Sequence, residues 1–237
     1  TLLDHTLRPA LQVVPGISIS PGNILNPGYA RRKKSAANPD GLVRSRDHWG
    51  LDIIDYMASG DINTAGRKGS RMDFFSFSWY GRIGREMDTF DRAVSVTRER
   101  LSRYPQYADI PLDVREFAVL HDEEGHRFYA GDATEWAASF YAALARRVYD
   151  QGVRFVFEWD HATLGVLHPR GQVIRFLERM EGGKRLPTSV KTSASAAEGH
   201  SIAALQDDSL YVLVYHHLST RDEASPERIQ LELAEGI

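Results

Sequence analysis

The chain has 237 residues, of which 42% are hydrophobic and 26% are charged, and its formal net charge is −3. These values are typical of a globular protein with one large domain or one and a half smaller ones, and they exclude a general basic field for nucleic acid. The absence of cysteine excludes disulfides and a thiol nucleophile. No apolar run approaches the roughly 18 residues of a membrane span. Because the sequence opens on Thr1 with no initiator methionine or signal peptide, we expect a processed, cleaved or trimmed piece.

Helical and strand-like segments alternate along the first three quarters of the chain. The spacing of apolar residues predicts helices at 2–12, 47–60, 89–104, 132–152 and 170–183, the first broken or kinked at Pro9 and the fourth capped by Asp132. Apolar runs predict strands at 17–20, 72–81, 112–117 and 153–160, and the turn-rich stretch PGNILNPG (21–28) is predicted to be a loop. This alternation indicates βα units around a parallel sheet.

The pattern changes near Leu186. From there the sequence shows period-two alternation of apolar and polar residues, interrupted by Asp-Asp and Ser-Pro turns. The tail is therefore predicted to be a small antiparallel β module, with a boundary near 186–190.

Three of the predicted strands end in polar or aromatic side chains. Their ends are Ser78-Trp79-Tyr80, then Glu116, then Glu158-Trp159-Asp160. In a (β/α)8 barrel the active site is built at this end of the strands, and aromatic rings with carboxylates suit sugar substrates. A carboxylate inside a core strand costs roughly several kcal/mol unless it is paired or used. We interpret Glu116 as aimed at a substrate; a simple salt bridge, for instance with Arg115, is the alternative.

Four segments, taken in order, resemble a known enzyme family. LLDHTLRPALQVVPGISISPGNI (2–24) is similar to helix four leading to strand five, and MDFFSFSWYG (72–81) to strand six, of clan-A glycoside hydrolases. IPLDVREFAVL (110–120) resembles strand seven and VRFVFEWD (153–160) resembles strand eight. The resemblance is strongest to family 39, which groups β-xylosidase, α-L-iduronidase and bacterial exopolysaccharide glycosidase relatives.

The resemblance implies an α/β fold in which residues 1–186 are the C-terminal part, strands five to eight, of a (β/α)8 TIM barrel. Residues 187–237 would be a small antiparallel β-sandwich module. It also implies a retaining nucleophile at Glu116, a tyrosine beside the sugar at Tyr80 and a strand-eight aromatic at Trp159. Two positions depart from the family: Ser78 stands where a histidine is usual, and Arg115 replaces a small residue before the nucleophile.

The family's acid/base is a glutamate that follows an asparagine at the end of strand four, and no Asn-Glu pair occurs in this chain. The resemblance therefore implies an acid/base outside the chain, and a complementary N-terminal barrel fragment or chain as partner. The expected function is retaining hydrolysis of an oligo- or polysaccharide. The alternatives are a non-catalytic carbohydrate-binding or pseudo-glycosidase protein and, with less support, a polysaccharide lyase.

The remaining candidates have structural or functional interpretations that the sequence leaves open. Trp79 and Glu158 would either contact a sugar or belong to the core and to an ion pair. His121 and His126 lie in a polar loop without the helical spacing of zinc hydrolases, and no metal or cofactor site is predicted. The basic run 31–34 is interpreted as a solvated loop. No nucleic-acid partner is expected, and glycan chemistry favours a periplasmic or extracellular setting.

Overall fold

The computed structural model describes residues 2–27, 49–62, 67–120, 134–158, 168–190 and 198–219. The chain packs into two compact units. The first contains Thr1–Tyr129 and Arg147–Thr163, and the second contains Ala130–Arg146 and Leu164–Ile237. None of the helices in the described segments is long and apolar enough to cross a bilayer.

The first unit is built on a parallel sheet. Its described elements are α1 (Leu2–Val13), β1 (Asn23–Leu25), α2 (Trp49–Ser59), β2 (Asp61–Ile62), β3 (Arg67–Lys68), β4 (Phe75–Arg82), α3 (Glu86–Ser102), β5 (Leu112–Leu120) and β6 (Val153–Glu158). Strands β1, β4, β5 and β6 lie side by side in that order, and every neighbouring pair is parallel. This arrangement confirms the parallel sheet that the strand–helix alternation predicts.

One face of this sheet is covered by α3. The face carries Phe75, Phe77 and Trp79, which recur at every second position of β4 and are almost completely buried. The ring of Trp79 packs edge-on against Phe90 of α3, with 5.1 Å between the ring centroids. Because α3 buries residues at helical spacing, from Phe90 to Leu101, its apolar stripe and the strand face fit together as one core.

The opposite face of the sheet is polar. On β4 it carries Ser76, Ser78 and Tyr80, which alternate with the aromatic residues of the core face. In the register of the sheet Ser76 lies opposite Asp113 of β5, and Ser78 lies opposite Glu116. We call the surface formed by these five residues the polar face.

Two β-bulges place charged residues on the polar face. Phe77 pairs with Val114 and Ser78 pairs with Glu116, so Arg115 is an extra residue in β5. With regular alternation, Asp113 and Glu116 would point to opposite faces; the extra residue brings both onto the same one. A second irregularity occurs on β6, where Arg154 is the extra residue opposite Leu112 and Asp113.

The second unit contains an antiparallel sheet. Its elements are the part of α4 (Glu135–Asp150) up to Arg146, α5 (Pro169–Glu178), β7 (Lys184–Leu186), β8 (Glu198–Gln206) and β9 (Ser209–His217), with the strands in the order β7-β8-β9. The tight turn between β8 and β9 has Asp207 at φ +50°, in the left-handed region that Asp tolerates. The antiparallel tail and its Asp-Asp turn agree with the sequence prediction.

Helix α4 packs on this sheet through aromatic rings. Trp136 and Phe140 are stacked with 5.3 Å between ring centroids, and both lie within about 6 Å of the ring of His217. The indole N–H of Trp136 donates to the carbonyl of Leu218 at 2.9 Å. The apolar stripe predicted for this helix therefore meets β9.

Four local predictions differ from the structure or fall outside it. Residues 17–20 do not form a strand: the N–H of Ile19 donates to the side chain of Asp73, and its carbonyl accepts the N–H groups of Asp73 and Phe74 just before β4. The strand is instead Asn23–Leu25, inside the stretch predicted to be a loop. Helix α1 continues through Pro9 to Val13. The predicted cap at Asp132 lies outside the described residues.

Candidate active site

Both oxygens of the Glu116 carboxylate accept a hydrogen bond from a hydroxyl group on β4. Ser78 Oγ donates to Oε2 at 2.8 Å, and Tyr80 Oη donates to Oε1. The side chain of Glu116 is half-buried. Two donors on separate oxygens restrict both the position and the rotation of the carboxylate plane, as a reacting group requires.

The site lies at the edge where the four-stranded sheet narrows. Strand β1 ends at Leu25, opposite Ser78. The described part of β6 ends at Glu158, opposite Phe117. Beyond this level β4 and β5 continue as a pair. Glu116 is therefore at the carboxyl edge of the sheet, which is where parallel α/β folds build their sites.

Ser78 is held from its other side by Asn23. The serine is 4% exposed, and its hydroxyl oxygen lies 2.5 Å from the side-chain amide nitrogen of Asn23 on β1. A continuous chain of polar contacts therefore runs from β1 through β4 to the carboxylate on β5.

Asn26 fixes the backbone of the same segment. Its N–H donates to the carbonyl of Ser78 at 2.8 Å, and its side-chain oxygen accepts the N–H of Tyr80 at 2.7 Å. Its φ of +43° lies in the left-handed region, which asparagine adopts more readily than most residues. The Asn26 side chain thus continues the pairing of β4 after β1 has ended.

Tyr80 is kept in its protonated form. Burial raises the pKa of Tyr80 above its ordinary value, and both the hydrogen bond to Glu116 and the negative charge of that carboxylate raise it further. At neutral pH the phenol is therefore a donor to Glu116 and not a base.

Asp113, the other carboxylate on the polar face, is fully committed to arginines. It is 0% exposed, and Arg154 binds it through two nitrogens at 2.9 and 2.8 Å. Arg115 adds a third contact at 3.0 Å, and both guanidinium groups lie about 5 Å from the centroid of the Phe74 ring. The bond to Asp113 raises the pKa of Arg154. Arg115 therefore pairs with Asp113 in the structure, and not with Glu116.

The structure brings together three of the predicted site residues: Ser78, Tyr80 and Glu116. Trp79 is on the other face of β4, 1% exposed and packed against Phe90 and Phe117. In the structure it is therefore part of the core packing and is not beside Glu116.

Glu158 also lies away from Ser78, Tyr80 and Glu116. It pairs in register with Phe117, and Phe117 stacks on Trp79 on the core face, so Glu158 is on the side of the sheet opposite Glu116. Trp159 lies outside the described residues, as do the histidines 121 and 126 and the basic run 31–34.

The sequence analysis did not identify Asn23 and Asn26. Both belong to the stretch predicted to be a loop, because proline and glycine flank it on either side. The sequence does contain a weak strand signal here: two apolar residues lie between two asparagines in Asn23-Ile24-Leu25-Asn26. It is compatible with a three-residue strand whose ends carry polar groups.

No model of a protein family and no curated protein sequence matches the chain. Among solved structures, the chain is similar to a glucosidase from Croceicoccus marinus, with a TM-score of 0.55 and 14% identity over 89% of this chain and 42% of that one. It is equally similar to a bacterial orthologue of human α-L-iduronidase, with a TM-score of 0.55 and 14% identity over 93% of this chain and 40% of that one. The chain thus spans about two fifths of the length of these two proteins, and the similarity is one of fold.

Proposed function

We propose that the chain is the C-terminal part of a retaining glycoside hydrolase, with Glu116 as its nucleophile and an oligo- or polysaccharide as its substrate. The observation that supports this most directly is the carboxylate of Glu116 at the carboxyl edge of a parallel sheet, held by two hydroxyl donors with no cation paired to it in the described contacts. The similarity in fold to a glucosidase and to an α-L-iduronidase orthologue agrees with this assignment.

In this proposal, β1, β4, β5 and β6 are strands five to eight of a (β/α)8 barrel that occupies residues 1–186. The antiparallel sheet belongs to a β-sandwich module over 187–237. The similarity to family 39 in the order of segments, with Tyr80 beside the sugar and Trp159 as strand-eight aromatic, is part of the same proposal. A complementary N-terminal half would supply the remaining strands.

The chemistry is a double displacement. A carboxylate oxygen of Glu116 attacks the anomeric carbon while the bond from that carbon to the leaving oxygen breaks, which gives a covalent glycosyl ester. A second carboxyl group, about 5–5.5 Å away in retaining enzymes, protonates the leaving oxygen and then deprotonates the water that hydrolyses the ester. Within the described polar face the other carboxylate is Asp113, bound by two arginines. Because the resemblance to family 39 implies an acid/base that follows an asparagine, and this sequence has no Asn-Glu pair, we assign that residue to a segment outside this chain.

The direct test replaces Glu116 by Gln in the longer polypeptide that carries this chain, assayed on a panel of 4-nitrophenyl glycosides. Loss of the attacking oxygen is expected to lower kcat/KM by roughly 10⁴-fold or more. In a Glu116→Gly variant, added azide should restore turnover and yield a glycosyl azide of inverted anomeric configuration, because azide replaces the missing nucleophile.

The matched control is Glu99→Gln on α3, whose side chain is 68% exposed and pairs with Arg103 on the same helix. We expect wild-type kinetics from it. Activity in Glu116→Gln equal to that of the wild type would contradict the nucleophile assignment.

The second candidate is a carbohydrate-binding protein without turnover. It is favoured by Ser78 in place of the family's histidine and by the commitment of Asp113 to arginines. Oligosaccharide binding that Glu116→Gln leaves intact, with no hydrolysis by the complete protein, would support this alternative.

A further inference from the structure

We propose that Asn23 is a positioning residue for Glu116 that acts through Ser78. Its amide N–H donates to the hydroxyl oxygen of Ser78 and thereby directs the single proton of that hydroxyl to the carboxylate. The inference rests on the proposed function, because it concerns the orientation of the carboxylate that attacks the sugar.

The first step is a count of protons around Ser78 Oγ. A serine hydroxyl has one proton to donate and can accept two hydrogen bonds, whereas a carboxylate only accepts. Ser78 Oγ has two close partners, Glu116 Oε2 at 2.8 Å and the side-chain amide of Asn23 at 2.5 Å. Ser78 must donate to Glu116, so Asn23 must present its N–H. The two contacts together fix the orientation of the amide and the direction of the hydroxyl proton.

The second step is that the backbone holds Asn23 in place. In β1, Asn23 pairs with Ser76, and its side chain reaches to the next residue of the polar face, Ser78. The hydroxyl of Ser76 donates to the carbonyl of Gly22 at 3.1 Å, one residue before Asn23. Asn26 holds β4 on the other side of Ser78. The amide is therefore presented by a strand that is tied to β4 both before and after the contact.

The third step is the environment of the hydroxyl. Because Ser78 is 4% exposed, water does not readily replace a lost partner, so the direction of its proton depends on the side chains around it. Tyr80 donates a hydrogen bond to the other oxygen of the Glu116 carboxylate. With both donors in place the carboxylate is oriented; without Asn23, the hydroxyl oxygen of Ser78 loses the contact that holds it on the side away from Glu116.

The experiment is a double-mutant cycle in the longer polypeptide, with Asn23→Ala, Ser78→Ala and the combined variant, each measured for kcat and KM. Ser78→Ala is expected to lower kcat/KM by roughly 10- to 100-fold, the range for a hydrogen bond to a charged group, and Asn23→Ala by roughly 3- to 10-fold, because Asn23 bonds a neutral hydroxyl. Because Asn23 acts only through Ser78, the combined variant should match Ser78→Ala rather than show the product of the two losses. The losses should fall mainly on kcat rather than on KM, since the contact orients the attacking carboxylate.

Two further variants separate positioning from packing. Asn23→Asp keeps the size of the side chain but replaces the donor by an acceptor that competes for the proton of Ser78, so it should be at least as impaired as Asn23→Ala. Ser78→Thr keeps a hydroxyl and should recover most of the activity. The matched control is Ser102→Ala on α3, an exposed serine whose hydroxyl donates to the carbonyl of Glu99 on its own helix, and it should remain within about threefold of wild type.

The outcomes distinguish this inference from the proposed function. If Glu116→Gln is inactive but the losses in Asn23→Ala and Ser78→Ala multiply, or Asn23→Asp behaves as wild type, the positioning role is wrong and the nucleophile assignment stands. If Glu116→Gln keeps full activity, both are overturned. Glu116→Gln inactive together with a non-multiplying cycle and recovery in Ser78→Thr would establish both.

Discussion

At the scale of single residues, the hydroxyl of Tyr80 is the group whose protonation is most strongly controlled by its surroundings. Burial raises the pKa of Tyr80, and the adjacent carboxylate of Glu116 adds to the effect. Its proton is therefore retained over the whole neutral range, and Tyr80 serves Glu116 as a permanent donor. A tyrosine in this position would not contribute a basic limb to the activity profile near pH 8.

Replacing Tyr80 by Phe should have two consequences. The loss of one donor to a charged group should lower kcat/KM by roughly 10- to 100-fold, measured with aryl glycosides. Because the folded state favours the neutral phenol, the wild type should lose stability as the pH rises above about 10, where the unfolded tyrosine ionises. The variant should lose less over that range, as measured by urea unfolding at pH 8 and pH 11.

Tyr149→Phe on α4 is the control for this comparison, since that side chain is 51% exposed. It should follow the wild type in both measurements. If Tyr80→Phe and the wild type lose the same free energy of unfolding between pH 8 and pH 11, Tyr80 is not in the buried, carboxylate-bound environment described above.

At the scale of elements, the bulged residues of β5 and β6 determine what the polar face carries. Each bulge occurs at an arginine, and both arginines converge on Asp113. The bulge in β5 also turns Glu116 onto the face of Ser78 and Tyr80. The same irregularity therefore builds the charged cluster and directs the candidate nucleophile.

Replacing Asp113 by Ala should destabilise the sheet. The change removes three hydrogen bonds and leaves two neighbouring guanidinium groups without their shared anion. Since each guanidinium remains partly exposed, we expect a loss of about 2–4 kcal/mol, less than for a fully buried pair. Urea unfolding at pH 7 measures this loss in the free energy of unfolding.

Asp91→Ala is the matched control, because Asp91 pairs with Arg147 but is 43% exposed. We expect Asp91→Ala to lower the free energy of unfolding by about 1 kcal/mol or less. Removing Arg115 in the Asp113→Ala background should restore part of the stability, since it relieves repulsion. Equal costs for the two aspartates would show that the cluster contributes no more than a surface ion pair.

At the scale of the whole molecule, the proposed mechanism requires more chain than is present here. The two similar solved structures are more than twice as long as this chain, and the polar face, as far as it is described, offers Glu116 and the committed Asp113. We therefore expect no hydrolysis by the 26.7 kDa chain on its own. A polypeptide or complex that also contains the other barrel strands should hydrolyse glycosides.

Native mass spectrometry combined with the aryl glycoside assay checks this expectation, because it shows whether a second chain accompanies the active material. Turnover by a lone 26.7 kDa species that is abolished by Glu116→Gln would contradict the placement of the acid/base outside this chain.

The sequence by itself determined the class of architecture and predicted three side chains that the structure brings into contact. Apolar spacing located α2, α3, β4 and β5 to within a few residues, because helical and period-two patterns are strong over segments of this length. Strand alternation with helices predicted a parallel sheet, whose carboxyl ends lie at one edge. For that reason Ser78, Tyr80 and Glu116 could be proposed together although up to 38 positions separate them.

Only the tertiary structure decided which face each side chain occupies and what holds the site. Alternation cannot reveal a bulge, and one extra residue at Arg115 moves Glu116 from one face to the other. The same geometry assigns Trp79 and Glu158 to the core side, which their position at strand ends did not indicate. Strand β1 has three residues, too few for a pattern, and is defined by its pairing with β4. Asn23 meets Ser78 across 55 positions, a contact that arises from sheet register and from no local sequence signal.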